Sequence, residues 1–142
     1  MKKLLIVFAL LLTAAFSANA QSPTASVAAV ESIKAGESFT VTVNISKLDL
    51  SCFAQYQMKL PSGFTAKEIS DWSDNANFYF ENGKVLYQWY KLPIERSSIV
   101  LKFTVTTDNK LSAGKYQLPG YFSYQYNNRL GQADTVLSVE VK

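Results

Sequence analysis

Asn77-Phe78-Tyr79-Phe80-Glu81-Asn82-Gly83-Lys84-Val85-Leu86-Tyr87-Gln88-Trp89-Tyr90 is the stretch that decides the fold class. Both central residues of a type I′ turn need positive φ, and Asn-Gly between two apolar runs is the strongest short signal for that turn. The stretch therefore predicts a two-residue hairpin, with Phe80 opposite Val85 and Phe78 opposite Tyr87. Strand side chains alternate between faces, so Phe78, Phe80, Val85, Tyr87 and Trp89 share one face while Tyr79, Leu86, Gln88 and Tyr90 share the other. The first group is assigned to the core.

Outward from the hairpin the same period of two recurs, in short segments rich in Val, Ile, Thr, Phe and Tyr. Before it, Ser38 to Ser46 places Phe39, Val41, Val43 and Ile45 on one face. A turn at Lys34-Ala35-Gly36-Glu37 joins that segment to a preceding strand near Ser26 to Ile33. Cys52 to Leu60 sets Cys52, Ala54, Tyr56, Met58 and Leu60 inward against Phe53, Gln55, Gln57 and Lys59. Pro61-Ser62-Gly63 ends it, and Phe64 to Ser70 reads as a short strand. After the hairpin, Ser98 to Thr107 buries Ile99, Leu101, Phe103 and Val105. Tyr116 to Tyr126 is expected to be interrupted at Pro119-Gly120, a turn is expected at Asn127 to Gly131, and Gln132 to Val141 closes the chain with Thr135, Leu137, Val139 and Val141 on one face. About nine strands with short polar loops bury their apolar faces most simply as a single two-sheet antiparallel β-sandwich.

Met1 to Ala20 reads as a cleaved secretory signal peptide: Lys2 and Lys3, an apolar run from Leu4 to Leu12, then the small-x-small site Ala18-Asn19-Ala20. The run is too short for a membrane span, which takes about 20 apolar residues. One domain, residues 21–142, is left, and the expectation is an exported protein, periplasmic or extracellular, with no membrane span after cleavage. The leader carries two of the 14 basic residues and none of the 11 acidic ones, so the remainder has a net charge near +1 and no basic footprint for nucleic acid. With no His and one Cys, the chain has no His-based triad, no His metal site, no CxxC redox pair and no internal disulfide. Cys52 has no base or cation beside it and is read as a small core residue.

The order of features resembles the bacterial cohesin-like domains, a β-sandwich family related in fold to some carbohydrate-binding modules. The likeness rests on Gly36-Glu37-Ser38-Phe39-Thr40-Val41-Thr42-Val43-Asn44-Ile45, on Ala54-Gln55-Tyr56-Gln57-Met58-Lys59-Leu60-Pro61 with Gly63-Phe64-Thr65-Ala66, and on Asn82-Gly83-Lys84-Val85-Leu86-Tyr87-Gln88-Trp89. Ile99 to Val105 and Ala113-Gly114-Lys115-Tyr116 continue it. These motifs are structural, and an Ig-like or jelly-roll sandwich shares them. The resemblance implies a protein partner of the dockerin kind, held on one sheet face. The register above fills that face with Phe53, Gln55, Gln57, Tyr79, Leu86, Gln88 and Tyr90. Amides hydrogen-bond and aromatics stack, which suits a protein patch or a sugar platform; an ordinary solvated face accounts for the same pattern.

A polysaccharide-binding alternative places Trp72, Tyr79 and Tyr90 against sugar rings, and a structural subunit of an envelope assembly is a further one. No enzyme and no cofactor are expected, since no GxSxG, phosphate-cradling loop or zinc pattern is present. Asp71 and Asp74 flank Trp72 as the best acidic cluster, and with Asn77 their oxygens suit Ca²⁺ in type but lack a regular ligand spacing. Two short matches remain: Asn44-Ile45-Ser46, which fits Asn glycosylation, and Asp134-Thr135-Val136, which is similar to an O-glycosylation tripeptide of bacterial envelope proteins.

Overall fold

The computed structural model describes residues 21–142, so the expected leader, Met1 to Ala20, lies outside the described residues. The chain is all-β. Its strands are β1 (Thr24–Ala28), β2 (Ser32–Ile33), β3 (Ser38–Ser46), β4 (Ala54–Lys59), β5 (Phe64–Glu68), β6 (Asn77–Glu81), β7 (Lys84–Trp89), β8 (Ser98–Thr107), β9 (Gly114–Tyr126) and β10 (Arg129–Val141), with one 3₁₀ turn at Ser70–Trp72. They form a four-stranded sheet in the order β1-β3-β8-β5 and a six-stranded sheet in the order β2-β10-β9-β4-β7-β6.

The alternation that marks the strands in the sequence is what builds the core. Val41, Val43, Ile45, Ile99, Leu101, Phe103 and Val105 line the inner face of one sheet, and Ala54, Tyr56, Met58, Val85, Tyr87, Trp89, Leu118 and Phe122 that of the other, all buried. The two layers meet at Tyr87, whose ring lies 6.0 Å from that of Phe103, and at Phe64, whose ring lies 5.2 Å from that of Tyr116. A β-sandwich of this size buries enough apolar surface to hold without a disulfide.

The hairpin forms as expected. Asn82 and Gly83 have φ of 52° and 73°, Phe80 pairs with Val85 and Phe78 with Tyr87. Leu60 N–H donates to Gly83 O at 2.7 Å, which pins the turn to the end of β4.

Four expectations are corrected. The expected segment Ser26 to Ile33 is two strands, which brings the expected count of about nine to ten among the described residues: β1 pairs with β3, then the chain crosses at Ala29–Glu31 and β2 joins the opposite sheet. The sandwich is not wholly antiparallel, since β2 runs parallel to β10. Pro119-Gly120 does not interrupt β9: β4 and β9 stop pairing at Met58–Gly120, so the N–H that Pro119 lacks falls just past the last rung. Gly120 itself is required by close approach, because a Cβ there would sit 2.7 Å from both Gln57 O and Tyr56 Oη. Finally, the turn after β9 is confined to Asn127-Asn128, both at positive φ, and Arg129 to Gly131 already belong to β10.

Candidate functional site

The six-stranded sheet turns its second face outward, and register fixes what stands there. Asn77 pairs with Gln88, Gln88 with Gln55, Gln55 with Ser123 and Ser123 with Gln132, so one rung across five strands is almost entirely amide. The next rung reads Tyr79, Leu86, Gln57, Tyr121 and Asp134. On one side of these two rungs Phe53 meets Tyr90 edge-on, ring centroids 6.5 Å apart. On the other side stand Glu81, Lys84 and Lys59.

All seven residues expected on the partner face, Phe53, Gln55, Gln57, Tyr79, Leu86, Gln88 and Tyr90, therefore come together, because β4, β7 and β6 are hydrogen-bonded neighbours. Tyr90 is 80% exposed and Tyr79 45% exposed, whereas Gln55, Gln57, Leu86 and Gln88 are half-buried between their neighbours. Half-buried amides keep their heads available while their stems pack, and each brings both donors and an acceptor. A shallow groove of about 620 Å³ crosses this face between Gln57, Lys59, Lys84, Tyr121, Asp134 and Val136. A second, of about 440 Å³, runs beside Tyr79, Leu86 and Gln88. Tyr121, Ser123, Gln132 and Asp134 were not among the expected face residues. Their alternation is visible in the sequence, but nothing local says that β9 lies beside β4.

Trp72 lies elsewhere. It follows β5, and the ammonium of Lys102 sits 4.0 Å above its ring centroid. Lys102 projects from the outward face of β8, between the buried Leu101 and Phe103, so Trp72 covers the outer face of the four-stranded sheet. Tyr79 and Tyr90 belong to the opposite layer, and the three aromatics form no common platform. The cleft beside Trp72, about 560 Å³, is lined by Asp71, Asp74, Asn75 and Arg96 among others.

Asp74 sits in that cleft with one carboxylate oxygen paired and the other, Oδ2, buried without a hydrogen-bond partner. Its side chain is only 3% exposed, Oδ1 accepts from Arg96 Nη2, and its backbone carbonyl accepts from Trp89 Nε1 at 2.9 Å. Asn77, weighed with it as a calcium ligand, stands on β6 opposite Gln88. Among the described residues no three of Asp, Glu and Cys gather as a metal site would require. The Thr135 of Asp134-Thr135-Val136 is buried, and its hydroxyl bonds Tyr56 Oη at 2.8 Å inside the core, so the folded chain does not offer it for glycosylation. Asn44 is exposed on β3. Cys52 is a free, half-buried thiol packed against the core. No helix among the described residues is long and apolar enough to cross a membrane.

Two tyrosines in the core are electrostatically unusual. Burial pushes the Tyr56 hydroxyl up to about 12, with the bond to Thr135 pulling the other way. Burial raises Tyr87 as well, helped by the nearby Glu68 carboxylate and by Tyr56.

Against known proteins, no family model matches this chain. No curated protein matches it either. Among solved structures it is similar to BslA, a bacterial hydrophobin, at 13% identity and a TM-score of 0.47, over 86% of this chain and 96% of that one. It is also similar to the CARDB domain of a Pyrococcus furiosus protein, at 13% identity and a TM-score of 0.46, over 85% and 96% of the two chains. A structure of the AAF fimbriae of enteroaggregative Escherichia coli matches at 12% identity and a TM-score of 0.43, over 83% and 99%. All three are all-β domains.

Proposed function

We propose that this chain is an exported, non-enzymatic binding module of the cohesin-like kind that holds a protein partner on the outer face of its six-stranded sheet. The observation that supports this best is the joining of the amide rung, Asn77-Gln88-Gln55-Ser123-Gln132, to the rung Tyr79-Leu86-Gln57-Tyr121-Asp134. Polar groups that donate and accept beside half-exposed aromatics resemble the composition of protein interfaces, where Tyr anchors and hydrogen bonds share the contact. Export to the periplasm or beyond rests on the leader pattern of Met1 to Ala20.

Polysaccharide binding is a second reading, favoured by the exposure of Tyr79 and Tyr90 on one face. In this geometry it proceeds without Trp72. The deciding experiment is a pull-down of envelope and supernatant proteins on the immobilised protein, washed with mixed polysaccharide and then with denaturant. The proposal expects a specific protein that resists the sugar wash, and the double variant Gln57→Ala with Tyr90→Ala to lower its affinity at least about tenfold, the scale of one interface anchor. An unchanged affinity overturns it. Release of everything by polysaccharide supports the sugar module instead, and a fixed-stoichiometry complex that survives the double variant supports a structural subunit.

A further inference from the structure

Trp72 and the acidic residues around it play no part in the face described above, yet they line a cleft on the opposite layer. The cleft lies where β5 stops short of its neighbour. β5 pairs with β8 only from Thr107 to Phe103, and past Glu68 the chain leaves through the turn Ser70–Trp72. Lys47 N–H donates to Ser97 O and Thr107 N–H to Glu37 O, so odd-numbered residues of β8 turn their backbone groups toward β3 and even-numbered ones toward β5. Asp108 N–H, which donates to Gly63 O, agrees. Ser98 and Val100 both line the cleft and hold their N–H and C=O toward that side, where among the described residues they make no backbone bond. Backbone groups of this kind need a partner from somewhere.

A side chain of the same cleft is short of a partner too. Asp74 is only 3% exposed on its side chain; Oδ1 accepts from Arg96 Nη2, whereas Oδ2 is buried and makes no hydrogen bond. A carboxylate oxygen only accepts, and leaving it buried and unpaired is costly, so the missing group is a donor. Arg96 is 59% exposed and held by a single bond to Asp74, so it is the wall of the cleft that yields most readily to an incoming donor.

The other walls select the donor. Trp72 is 42% exposed, and the ammonium of Lys102 sits 4.0 Å over its ring, so one side of the indole already carries a cation and a second cation beside it is repelled. Asp71 and Asp74 are balanced by Arg96 and Lys102, which leaves no net field to draw an anion. The ligand that suits these walls is uncharged, has hydroxyls that both donate and accept, and has an apolar face to lay on an aromatic ring. A neutral sugar ring has all three properties, and a cleft of about 560 Å³ is of the size that holds small ligands.

We infer that the cleft between Trp72 and Asp74 binds one unit of a neutral saccharide, its ring against Trp72, one hydroxyl donating to Asp74 Oδ2 as Arg96 moves aside, and its other oxygens meeting the backbone of Ser98 and Val100. This is independent of what the outer face of the six-stranded sheet holds, because that face belongs to the other layer. The test titrates the purified protein with neutral glucan, mannan, galactan and xylan oligosaccharides, and with oligogalacturonate and chitosan oligomers as the charged counterparts. The chain has two Trp, and Trp89 is buried, so tryptophan fluorescence reports on Trp72. A saturable blue shift is expected with at least one neutral oligosaccharide below about 10 mM. Calorimetry on that sugar is expected to show about a tenfold loss of affinity in Trp72→Ala and in Asp74→Asn, and no change in Tyr90→Ala. Trp72 lies on the outside of the sheet, so Trp72→Ala decides the matter even where Asp74→Asn disturbs the loop. Binding by none of the neutral sugars overturns the inference, as does binding by the charged ones alone. A loss in Tyr90→Ala with none in Trp72→Ala puts the sugar on the six-stranded face and equally overturns it.

Discussion

The hydroxyl of Tyr56 and that of Thr135 satisfy one another in a part of the core that water does not reach. Tyr56→Phe leaves Thr135 Oγ1 without its partner, and the expected cost is about 1–2 kcal/mol, read as a lower midpoint in urea at unchanged slope. The same tyrosine makes the fold sensitive to alkali. Its neutral form is favoured in the folded state, with a pKa raised to about 12 from 10. That contribution to stability is full below pH 10 and is lost as pH rises from 10 to 12. Tyr87 is raised for the same primary reason and adds to the effect. Absorbance titration at the tyrosinate band is expected to show the two core tyrosines, Tyr56 and Tyr87, ionising only together with unfolding. Charged residues are where the sequence misleads most. Lys47 is 1% exposed, its ammonium capping Leu50 O at 2.8 Å, and Asp74 is buried against Arg96. Composition assigns both to the surface; only the loops folded over them say otherwise. Arg96→Ala, which strands the Asp74 carboxylate, is expected to destabilise by about 1–2 kcal/mol, the outer partner being solvent-screened.

At the scale of the element, the hairpin β6–β7 was legible in full, turn, register and faces alike. Every determinant lies within a few residues, and Asn82-Gly83 leaves one turn type available. Gly83→Ala is therefore expected to cost about 1–2 kcal/mol: it forces φ of 73° on an L side chain and brings a Cβ to 3.2 Å from Leu60 O. Thermal unfolding measures it, and the loss is expected to be smaller at Asn82→Asp, which tolerates the same region. The split of β1 from β2 was illegible for a matching reason. Val27-Ala28-Ala29-Val30 is an unbroken apolar run without Gly or Pro, and the crossing is set by two sheets competing for the same chain. Pro119 misled in the opposite sense, since a proline at the end of a ladder costs nothing that an uninterrupted strand needs.

Over the whole molecule, parity along each strand was readable and adjacency between strands was not. The seven residues of the candidate face were found because β4, β6 and β7 each announce which side is apolar. Tyr121, Ser123, Gln132 and Asp134 were missed because β4–β9 pairing joins segments far apart in the chain. Native-state hydrogen exchange is expected to rank the strands by their place in this arrangement. Amides of β3, β8, β4 and β7, flanked on both sides, should exchange only through global opening, and those of β5 and β6, which end the two sheets, far sooner.

The crossing from β1 to β2 also sets a clock. β6–β7 and β9–β10 are hairpins whose partners are adjacent in the chain, and such local pairs close within microseconds. β2, made near the start, finds its partner only in Glu140 and Val141. Whatever the pace of synthesis, the lock between the first and last strands waits for β10 to emerge, and distant pairings of this kind are slow to form. Until then Ile33 lacks the strand that buries it, and the two layers, though each can pair within itself, are not yet tied together by the segment that passes from one to the other.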